Sequence, residues 1–529
     1  MRDLKELTGY DIITEEKIPE VNGTGYILSH KKTKARVLVI ANDDENKVFN
    51  IGFRTPPYDD SGIPHILEHS VLCGSRKYPV KDPFVELAKG SLNTFLNAMT
   101  YSDKTVYPVA SCNEKDFENL MDVYLDAVFY PNIYEHTEIM RQEGWHYELE
   151  TVEGELSYNG VVFNEMKGAF SSPEQQMYSK IEKLLLADTP YKNESGGDPA
   201  AIPTLSQERF LDFHRKYYHP SNSYIYLYGD LDMYKELDYI DKEYLSSFDH
   251  REIDSTIAVQ TAYEQMKDES CFYSIAENES EENQTFLTYN MVVGSSLDKK
   301  QSVAMNILEY AIMDAPGAPL KKALVDAGIG EDVFASFDDG IRQTIFSIVA
   351  RNANMSDKER FVSVIRDTLT DLSGHGEEGK AIDRTSIEAA INNFEFKHKE
   401  ANFGRFPKGL MMGLDAFNTW LYDDASALEM FKLNEVYDEL KESLKTGYFE
   451  ELIWEKLVQN TFGMIFVMKP KKGLDKENDA AEKQKLADYK ASLTEKELEQ
   501  VVSDTKELKL YQETPSPAED MEKVPLLNI

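Results

Sequence analysis

Cysteine and long apolar runs are both scarce in this chain of 529 residues. The three cysteines, Cys73, Cys112 and Cys271, lie far apart and form no CxxC pair, which excludes a disulfide-stapled scaffold. No apolar stretch approaches the roughly 18 residues that a membrane span needs. Residues 1–20 lack the apolar segment of a secretory signal. These absences predict a cytoplasmic protein with no membrane partner.

Basic residues are also few compared with acidic ones. Lys and Arg number 57 against 94 Asp and Glu, so the formal net charge is −37. A surface this acidic argues against nucleic-acid binding as a main role, because phosphates are neutralised by basic patches. It favours cationic partners, basic peptides among them, although solubility alone accounts for it as well. Hydrophobic residues make up 41% of the chain, which excludes wholesale disorder.

The local patterns predict an α+β chain. Residues 35–41 and 48–53 are β-branched runs separated by a turn, which predicts a hairpin. Residues 104–109 predict another strand, and Pro108 places it at a sheet edge or a strand end. Apolar residues at i, i+3 and i+4 predict a long helix between Asn113 and Pro131, and similar helices follow.

Composition divides the chain into three segments. A polar stretch over 248–265 predicts a first boundary, which gives domains at 1–262 and 263–470. Beyond Pro470 the residues are mainly Lys, Glu, Ala and Leu, which predicts a helical hairpin and linker over 471–529. A solvated charged helix with a loose tail accounts for this last segment equally well.

A faint internal repeat relates the first two segments. The matching stretches are residues 66–69 with 307–310, and 164–167 with 394–397. The two pairs of stretches are separated by similar numbers of residues, which supports the repeat more strongly than either four-residue match does alone. The second copy has Asn306 and Tyr310 in place of the two histidines of the first.

Those histidines belong to the pentapeptide His65-Ile66-Leu67-Glu68-His69, an H-x-x-E-H pattern. Positions i and i+4 of a helix share a face, so His65 and His69 can hold one metal ion together. Glu68 lies beside that pair, where it can take a proton from a water molecule. Two imidazoles and a carboxylate suit Zn²⁺ with an open position for water. A partly exposed helix with ordinary histidines accounts for the pentapeptide alone equally well.

Further stretches accompany the pentapeptide in a fixed order. They are residues 61–75 around it, then 90–101, 160–168, 195–199 and 217–222. In order and spacing they resemble the pitrilysin/insulysin family of inverted-motif zinc metallopeptidases, and most closely its presequence-protease branch. The resemblance covers most of residues 50–230.

The resemblance implies a role for each matching residue of the metal site. His65 and His69 would be zinc ligands, with Glu165 as the third. Glu68 would be the general base. The small residues Gly168 and Ala169 would let the Glu165 helix approach the pentapeptide helix closely.

The resemblance also implies how a substrate is held. Asn97, Ala98 and Thr100 would bind an extended peptide by strand pairing. The edge strand would run from about Thr100 to Thr105.

The architecture implied is α+β, with two homologous pitrilysin-type domains, each an antiparallel sheet packed with helices, followed by a helical hairpin linker. Residues 1–262 would form the catalytic domain and 263–470 a similar domain without metal ligands. Similar proteins have a second half of about equal size. We therefore expect an N-terminal half whose partner is the C-terminal half of the same enzyme or a partner subunit.

The leading hypothesis is a zinc-dependent endopeptidase that hydrolyses short unstructured peptides. As an isolated half it would be weakly active or inactive, because the closed chamber is absent. The alternative is a peptide-binding or partner-docking module that needs a C-terminal half for turnover. A purely structural role is disfavoured, because His65, Glu68, His69 and Glu165 are all present.

Overall fold

The computed structural model describes residues 2–377, 379 and 381–527. The strands are β1 (Tyr10–Ile18), β2 (Gly23–His30), β3 (Arg36–Ala41), β4 (Lys47–Arg54), β5 (Asn93–Leu96), β6 (Met99–Thr100), β7 (Lys104–Ser111), β8 (His146–Glu148), β9 (Ser157–Asn159), β10 (Ser223–Gly229), β11 (Lys267–Ile275), β12 (Thr285–Ser295), β13 (Asp332–Asp338), β14 (Gln343–Ala353) and β15 (Gly463–Lys472).

The helices are α1 (Ile63–Val71), α2 (Pro83–Gly90), α3 (Glu114–Phe129), α4 (Thr137–Glu143), α5 (Val161–Ala169), α6 (Pro173–Leu185), α7 (Gln207–Tyr217), α8 (Met233–Glu243), α9 (Lys299–Glu309), α10 (Pro319–Asp326), α11 (Lys358–Leu372), α12 (Arg384–Glu400), α13 (Lys408–Trp420), α14 (Asn434–Ser443), α15 (Tyr448–Ile453), α16 (Leu474–Ser492), α17 (Glu495–Glu513) and α18 (Ala518–Met521). No helix of the described residues has the length and apolar character needed to cross a membrane.

Two large mixed sheets organise the chain. The first has the order β1-β2-β3-β10-β4-β7-β5, with β6 also paired to β7. The second has the order β11-β15-β12-β14-β13. In both sheets a late strand enters the middle: β10 is parallel to β3 and antiparallel to β4, and β15 is parallel to β11 and antiparallel to β12.

This shared topology supports the internal repeat. Helix α1 follows β4 in the first sheet, and α9 follows β12 in the second. The pentapeptide at 65–69 and residues 306–310 therefore occupy equivalent places in two units of the same α+β fold.

The predicted hairpin of residues 35–41 and 48–53 is wrong. Strands β3 and β4 lie in the same sheet, but β10 separates them and pairs with both. Pro108 is also not in an edge strand, because β7 lies between β4 and the short strands β5 and β6. Its position coincides with the gap between β5 and β6, where a missing donor is tolerated.

Each sheet is covered on its second face by a helix from the other part of the chain. Helix α13 packs on the first sheet, where Leu410, Phe417 and Trp420 meet Ile40 and Tyr226. Helix α6 packs on the second sheet.

The residues of the α6 contact are Met177, Ile181 and Leu185, which meet Phe286 and Met468 among others. The two units are therefore not separate globules, because each completes the core of the other.

Helices α16 and α17 form the predicted hairpin. Leu486 of α16 and Val502 of α17 pack on Leu149 and Leu156 beside the small sheet of β8 and β9. The capping box of Thr494 and Glu497 starts the second helix. The chain then returns to the first unit, where Val524 joins the core.

Candidate metal centre

Helix α1 carries the pentapeptide with its apolar side chains turned inward. Ile66 and Leu67 are fully buried in the first core. Pro64 occupies the first turn, where its missing N–H leaves no hydrogen bond unmade. His65 and His69 are partly exposed on the other side, with ring centroids 5.0 Å apart.

The carbonyl oxygen of Gly196 orients His65, and close packing of Gly62 against the same loop makes this contact possible. Nδ1 of His65 lies 3.0 Å from the carbonyl oxygen of Gly196. Gly62, which starts α1, has φ 70° and lies so close to this loop that a Cβ would meet Gly197 Cα at 2.7 Å. Both the left-handed backbone and the close approach require glycine at 62. The loop thereby leaves the other ring nitrogen, Nε2, free for a ligand.

A buried carboxylate orients His69 in the same way. Its Nδ1 lies 3.3 Å from Glu143 Oε2, and Gln142 Nε2 donates to Glu143 Oε1 at 2.7 Å. Burial alone would raise the pKa of Glu143, but its hydrogen bonds from His69 and Gln142 bring that pKa below its ordinary value. Burial alone would lower the pKa of His69, but Glu143 and the charge of Glu68 raise it.

The free nitrogens of both histidines face one carboxylate. Glu165 Oε2 on α5 lies 3.7 Å from His65 Nε2 and 3.6 Å from His69 Nε2. The three ligand atoms all lie within 4.8 Å of one another. Two oriented imidazoles and a carboxylate, half exposed towards solvent, fit a catalytic zinc ion with an open position.

Glu68 lies beside the two histidines without belonging to the ligand set. Its residue is only 8% exposed. It lines a cavity of about 230 Å³ together with His69, Asn97 and Ala98. A carboxylate in the wall of this cavity can accept a proton from a water molecule held next to the histidines.

The structure places the three predicted substrate residues along a sheet edge close to Glu68. Asn97 and Ala98 connect β5 to β6, and Thr100 lies in β6. Both short strands pair with β7 only, so their outer side is open for another strand. The expectation of an edge strand from Thr100 to Thr105 is wrong, because β7 begins at Lys104 inside the sheet.

Sequence reasoning missed the two groups that orient the histidines. Gly196 lies in one of the matching stretches, but the sequence assigns no role to it or to Glu143. A carboxylate followed by Gly144 at a helix end was the available signal for Glu143, and it is a weak one.

The expected role of Gly168 is also wrong. A Cβ at Gly168 would meet no atom within 4 Å. The close approach lies instead between Gly62 and the loop of Gly196.

Comparison with known families finds three models in chain order. "Insulinase (Peptidase family M16)" matches residues 48–179, and "Peptidase M16 inactive domain" matches 204–394. A third model, which describes the associated region of subfamily C of these peptidases, matches 468–529. The first contains the candidate metal centre, and the last contains the helical hairpin.

Curated relatives match over nearly the whole chain. "Protein HypA" of Clostridium perfringens is 48% identical over 99% of this chain and 53% of its own length. "Presequence protease 1, chloroplastic/mitochondrial" of Arabidopsis thaliana is 41% identical over 100% of this chain and 49% of its own length. The chain spans about half the length of these relatives.

Solved structures share the fold at low sequence identity. A protease from Helicobacter pylori has a TM-score of 0.63 at 16% identity, and covers 85% of this chain and 100% of its own. Pitrilysin has a TM-score of 0.59 at 18% identity, with 88% of this chain and 47% of its own covered. This likeness shows the fold, and the three family models show that the chain is built from domains of the insulinase/pitrilysin family of peptidases, family M16.

Proposed function

We propose that this chain is the catalytic half of a zinc-dependent endopeptidase that hydrolyses short unstructured peptides. The observation that carries the proposal is the convergence of His65 Nε2 and His69 Nε2 on Glu165 Oε2, at 3.7 and 3.6 Å. Zinc held by such a ligand set supplies Lewis acidity and lowers the pKa of water.

Glu68 acts as the general base in the proposed reaction. It takes a proton from the attacking water and delivers it to the nitrogen of the leaving amine. Its low exposure keeps bulk water from competing for this proton transfer. Glu143 and Gly196 hold the two imidazoles in place throughout.

The open edge of β5 and β6 holds the peptide in an extended form. Asn97 and Ala98 lie in the wall of the cavity that also contains Glu68, so a peptide strand added there passes the base. Folded proteins cannot present such a strand, which explains the preference for unstructured peptides.

Metal analysis and cleavage of an unstructured peptide test this proposal. We expect one zinc per chain, retained in Glu68→Gln but lost in Glu165→Gln, with cleavage abolished in both. Glu208→Gln, at an exposed position in the first turn of α7, is the matched control and should keep both properties. Equal cleavage by wild type and Glu68→Gln would contradict the role of Glu68.

A second candidate is a peptide-binding or partner-docking module. It is favoured by the share of the curated relatives that this chain covers, about half of each. We propose that a C-terminal half, in the same enzyme or a partner subunit, completes the peptidase. Peptide binding without cleavage, even when a C-terminal half is supplied, would favour this candidate over the first.

A further inference from the structure

The second unit has a pocket of about 370 Å³ at the place that corresponds to the metal centre of the first. We call it the acidic pocket and define it by Ser296, Ser302, Asn306, Asp339, Asp415 and Asn418, which all line it. Its walls come from α9, from the turn after β13 and from α12, α13 and α14. It therefore lies where the two units meet.

This pocket holds no metal-ligand set. Asn306 stands at the position equivalent to His65, and its Nδ2 donates to Asp339 Oδ2 at 3.2 Å. Tyr310 stands at the position equivalent to His69. Within the described part of the chain, no group of three metal-ligating side chains lies in this unit. The pocket therefore differs in chemistry from the candidate metal centre of the first unit.

The carboxylate of Asp415 lacks a counterion. It keeps contact with solvent at the pocket wall, but the surrounding protein and the charge of Asp339 raise its pKa to about 7. Burial raises the pKa of Asp339 as well. Two carboxylates held together in this way favour a cation between them.

The nearby cationic side chains do not fill that role. Lys299 binds Glu429 at 2.7 Å, and Lys104 donates to the carbonyl of Gly340 at 2.8 Å. Burial lowers the pKa of His398, so its ring is neutral near pH 7. Lys397 is exposed at the rim. Asp415 makes no salt bridge or hydrogen bond with any described residue.

Two hydroxyl groups in the pocket also lack partners. Ser296 is 3% exposed and Ser302 is 9% exposed, and neither Oγ has a hydrogen-bond partner among the described residues. Buried polar groups are normally paired, and a hydroxyl oxygen can accept as well as donate, so these two hydroxyls can accept hydrogen bonds from a ligand with N–H donors.

Lys104 connects this pocket to the edge of β6. Its Nζ lies 4.8 Å from the ring centroid of Tyr101, the residue that follows β6. The same Nζ donates to the carbonyl oxygen of Gly340, which directly follows Asp339, at 2.8 Å. The acidic pocket therefore lies next to the β6 edge at which the peptide is proposed to bind.

We propose that the acidic pocket binds a cationic group, ammonium or guanidinium, of a peptide whose scissile bond lies at the metal centre. Asp415 and Asp339 supply the charge, and Ser296 and Ser302 accept further hydrogen bonds. The group is a lysine or arginine side chain or the peptide's N-terminal ammonium. The inference rests on the proposed peptidase function for the location of the scissile bond, but not for the binding itself.

Binding of four related peptides tests this. The full chain carries Glu68→Gln and is loaded with zinc, so that peptides bind without cleavage. All four unstructured peptides have a C-terminal fluorophore. Two contain one lysine and two have norleucine at that position, and in each pair one peptide has a free N-terminus and the other an acetylated one. Anisotropy gives the dissociation constant, with Asp415→Asn and Asp339→Asn as variants. Asp249→Asn is the control, because that side chain is 92% exposed.

We expect Asp415→Asn to weaken binding of the lysine peptides about tenfold and to leave the neutral acetylated peptide unchanged. If acetylation rather than norleucine removes the effect, the N-terminal ammonium is the group bound. Equal weakening for all four peptides, no change for any, or no binding by the parent protein would each overturn the proposal.

The experiment distinguishes failure of this inference from failure of the proposed function. Cleavage by the wild type without charge-dependent affinity rejects only the role of the acidic pocket. Charge-dependent affinity without cleavage rejects only the catalytic role. A melting curve for each variant shows that an isosteric Asp→Asn change has left the fold intact.

Discussion

At the scale of single residues, the proposed metal centre depends on side chains outside its ligand set. Glu143 holds Nδ1 of His69 at 3.3 Å, so the imidazole presents Nε2 to the site. A carboxylate in this position also raises the basicity of the ligand. In the proposed centre the pentapeptide supplies two of the three ligands, and Glu143 orients one of them, His69.

We expect Glu143→Gln to lower zinc affinity by about 10- to 100-fold. The amide keeps the size of the side chain but loses the charge that favours the His69 proton on Nδ1. Competition with a chelator of known affinity measures the loss. Glu135→Gln, at an exposed position shortly before α4, should leave the affinity unchanged. Unaltered affinity in Glu143→Gln would show that Gly196 and α1 alone orient the ligands.

Glu236 on α8 gives a second prediction at this scale. Its residue is 1% exposed, its Oε1 has no partner among the described residues, and burial with the charge of Glu118 raises its pKa from 4.5 to about 7. The folded state therefore binds this proton more tightly than the unfolded state. Stability from this group is lost as the pH rises from about 4.5 through about 7.

Glu236→Gln should accordingly raise the free energy of unfolding by about 1–3 kcal/mol at pH 8. The gain should shrink towards pH 5, where the wild-type carboxyl is protonated when folded. Urea denaturation at both pH values measures it. Glu153→Gln, at an exposed carboxylate, should show no such dependence. A gain that is equal at both pH values would contradict the assigned cause.

At the scale of elements, helix α13 sits on the first sheet through two glycines. A Cβ at Gly413 would meet the ring of Tyr226 at 2.3 Å, and one at Gly409 would meet Tyr228 at 2.1 Å. Both tyrosines are buried and cannot move away cheaply. The spacing of four residues puts the glycines on one face of the helix.

Gly413→Ala should therefore lower the free energy of unfolding by about 1–3 kcal/mol through overpacking. Gly168→Ala, at an exposed position of α5, is the matched change, because open space surrounds that position. It should raise stability by about 0.5–1 kcal/mol through helix propensity. Chemical denaturation compares the two, and zinc content shows whether either disturbs the site. A stabilising Gly413→Ala would mean that α13 does not rest on the sheet.

At the scale of the whole molecule, the exchange of α6 and α13 joins the two units into one folding entity. Residues 1–262 contain the first sheet and the predicted catalytic domain, but they lack α13. Without it, Ile40, Val48 and Tyr226 would face water. The boundary at residue 262 remains a prediction of where one homologous unit ends and the next begins. The hydrophobic cores, however, contain residues from both sides of it.

We expect residues 1–262, expressed alone, to melt well below the full chain or to stay partly unfolded. Calorimetry and binding of a hydrophobic dye measure this, since exposed apolar faces bind such dyes. Supplying residues 263–529 in trans is the control and should restore stability. A fragment that melts like the full chain and binds no dye would contradict the shared cores.

The sequence predicted the helices and strands better than it predicted which of them lie next to one another. The helix over 114–129 and the hairpin of α16 and α17 follow from local periodicity and capping residues. The predicted pairing of β3 with β4 is wrong because β3 pairs with β10, where Arg36 and Tyr224 are partners 188 residues apart, and local pattern carries no information on such a partner.

Some residues of the candidate site could likewise be predicted from the sequence, and others could not. The spacing of His65, Glu68 and His69 determined one helical face and a donor set for zinc, because four residues make about one turn. Glu165 followed from a resemblance in a matching stretch. Glu143, the Gly196 carbonyl and the acidic pocket were decided only by the tertiary structure, because their groups come from segments that folding brings together. The sequence's charge of −37 favoured cationic partners, but only the packing of α9 and α13 put Asp339 and Asp415 in one pocket.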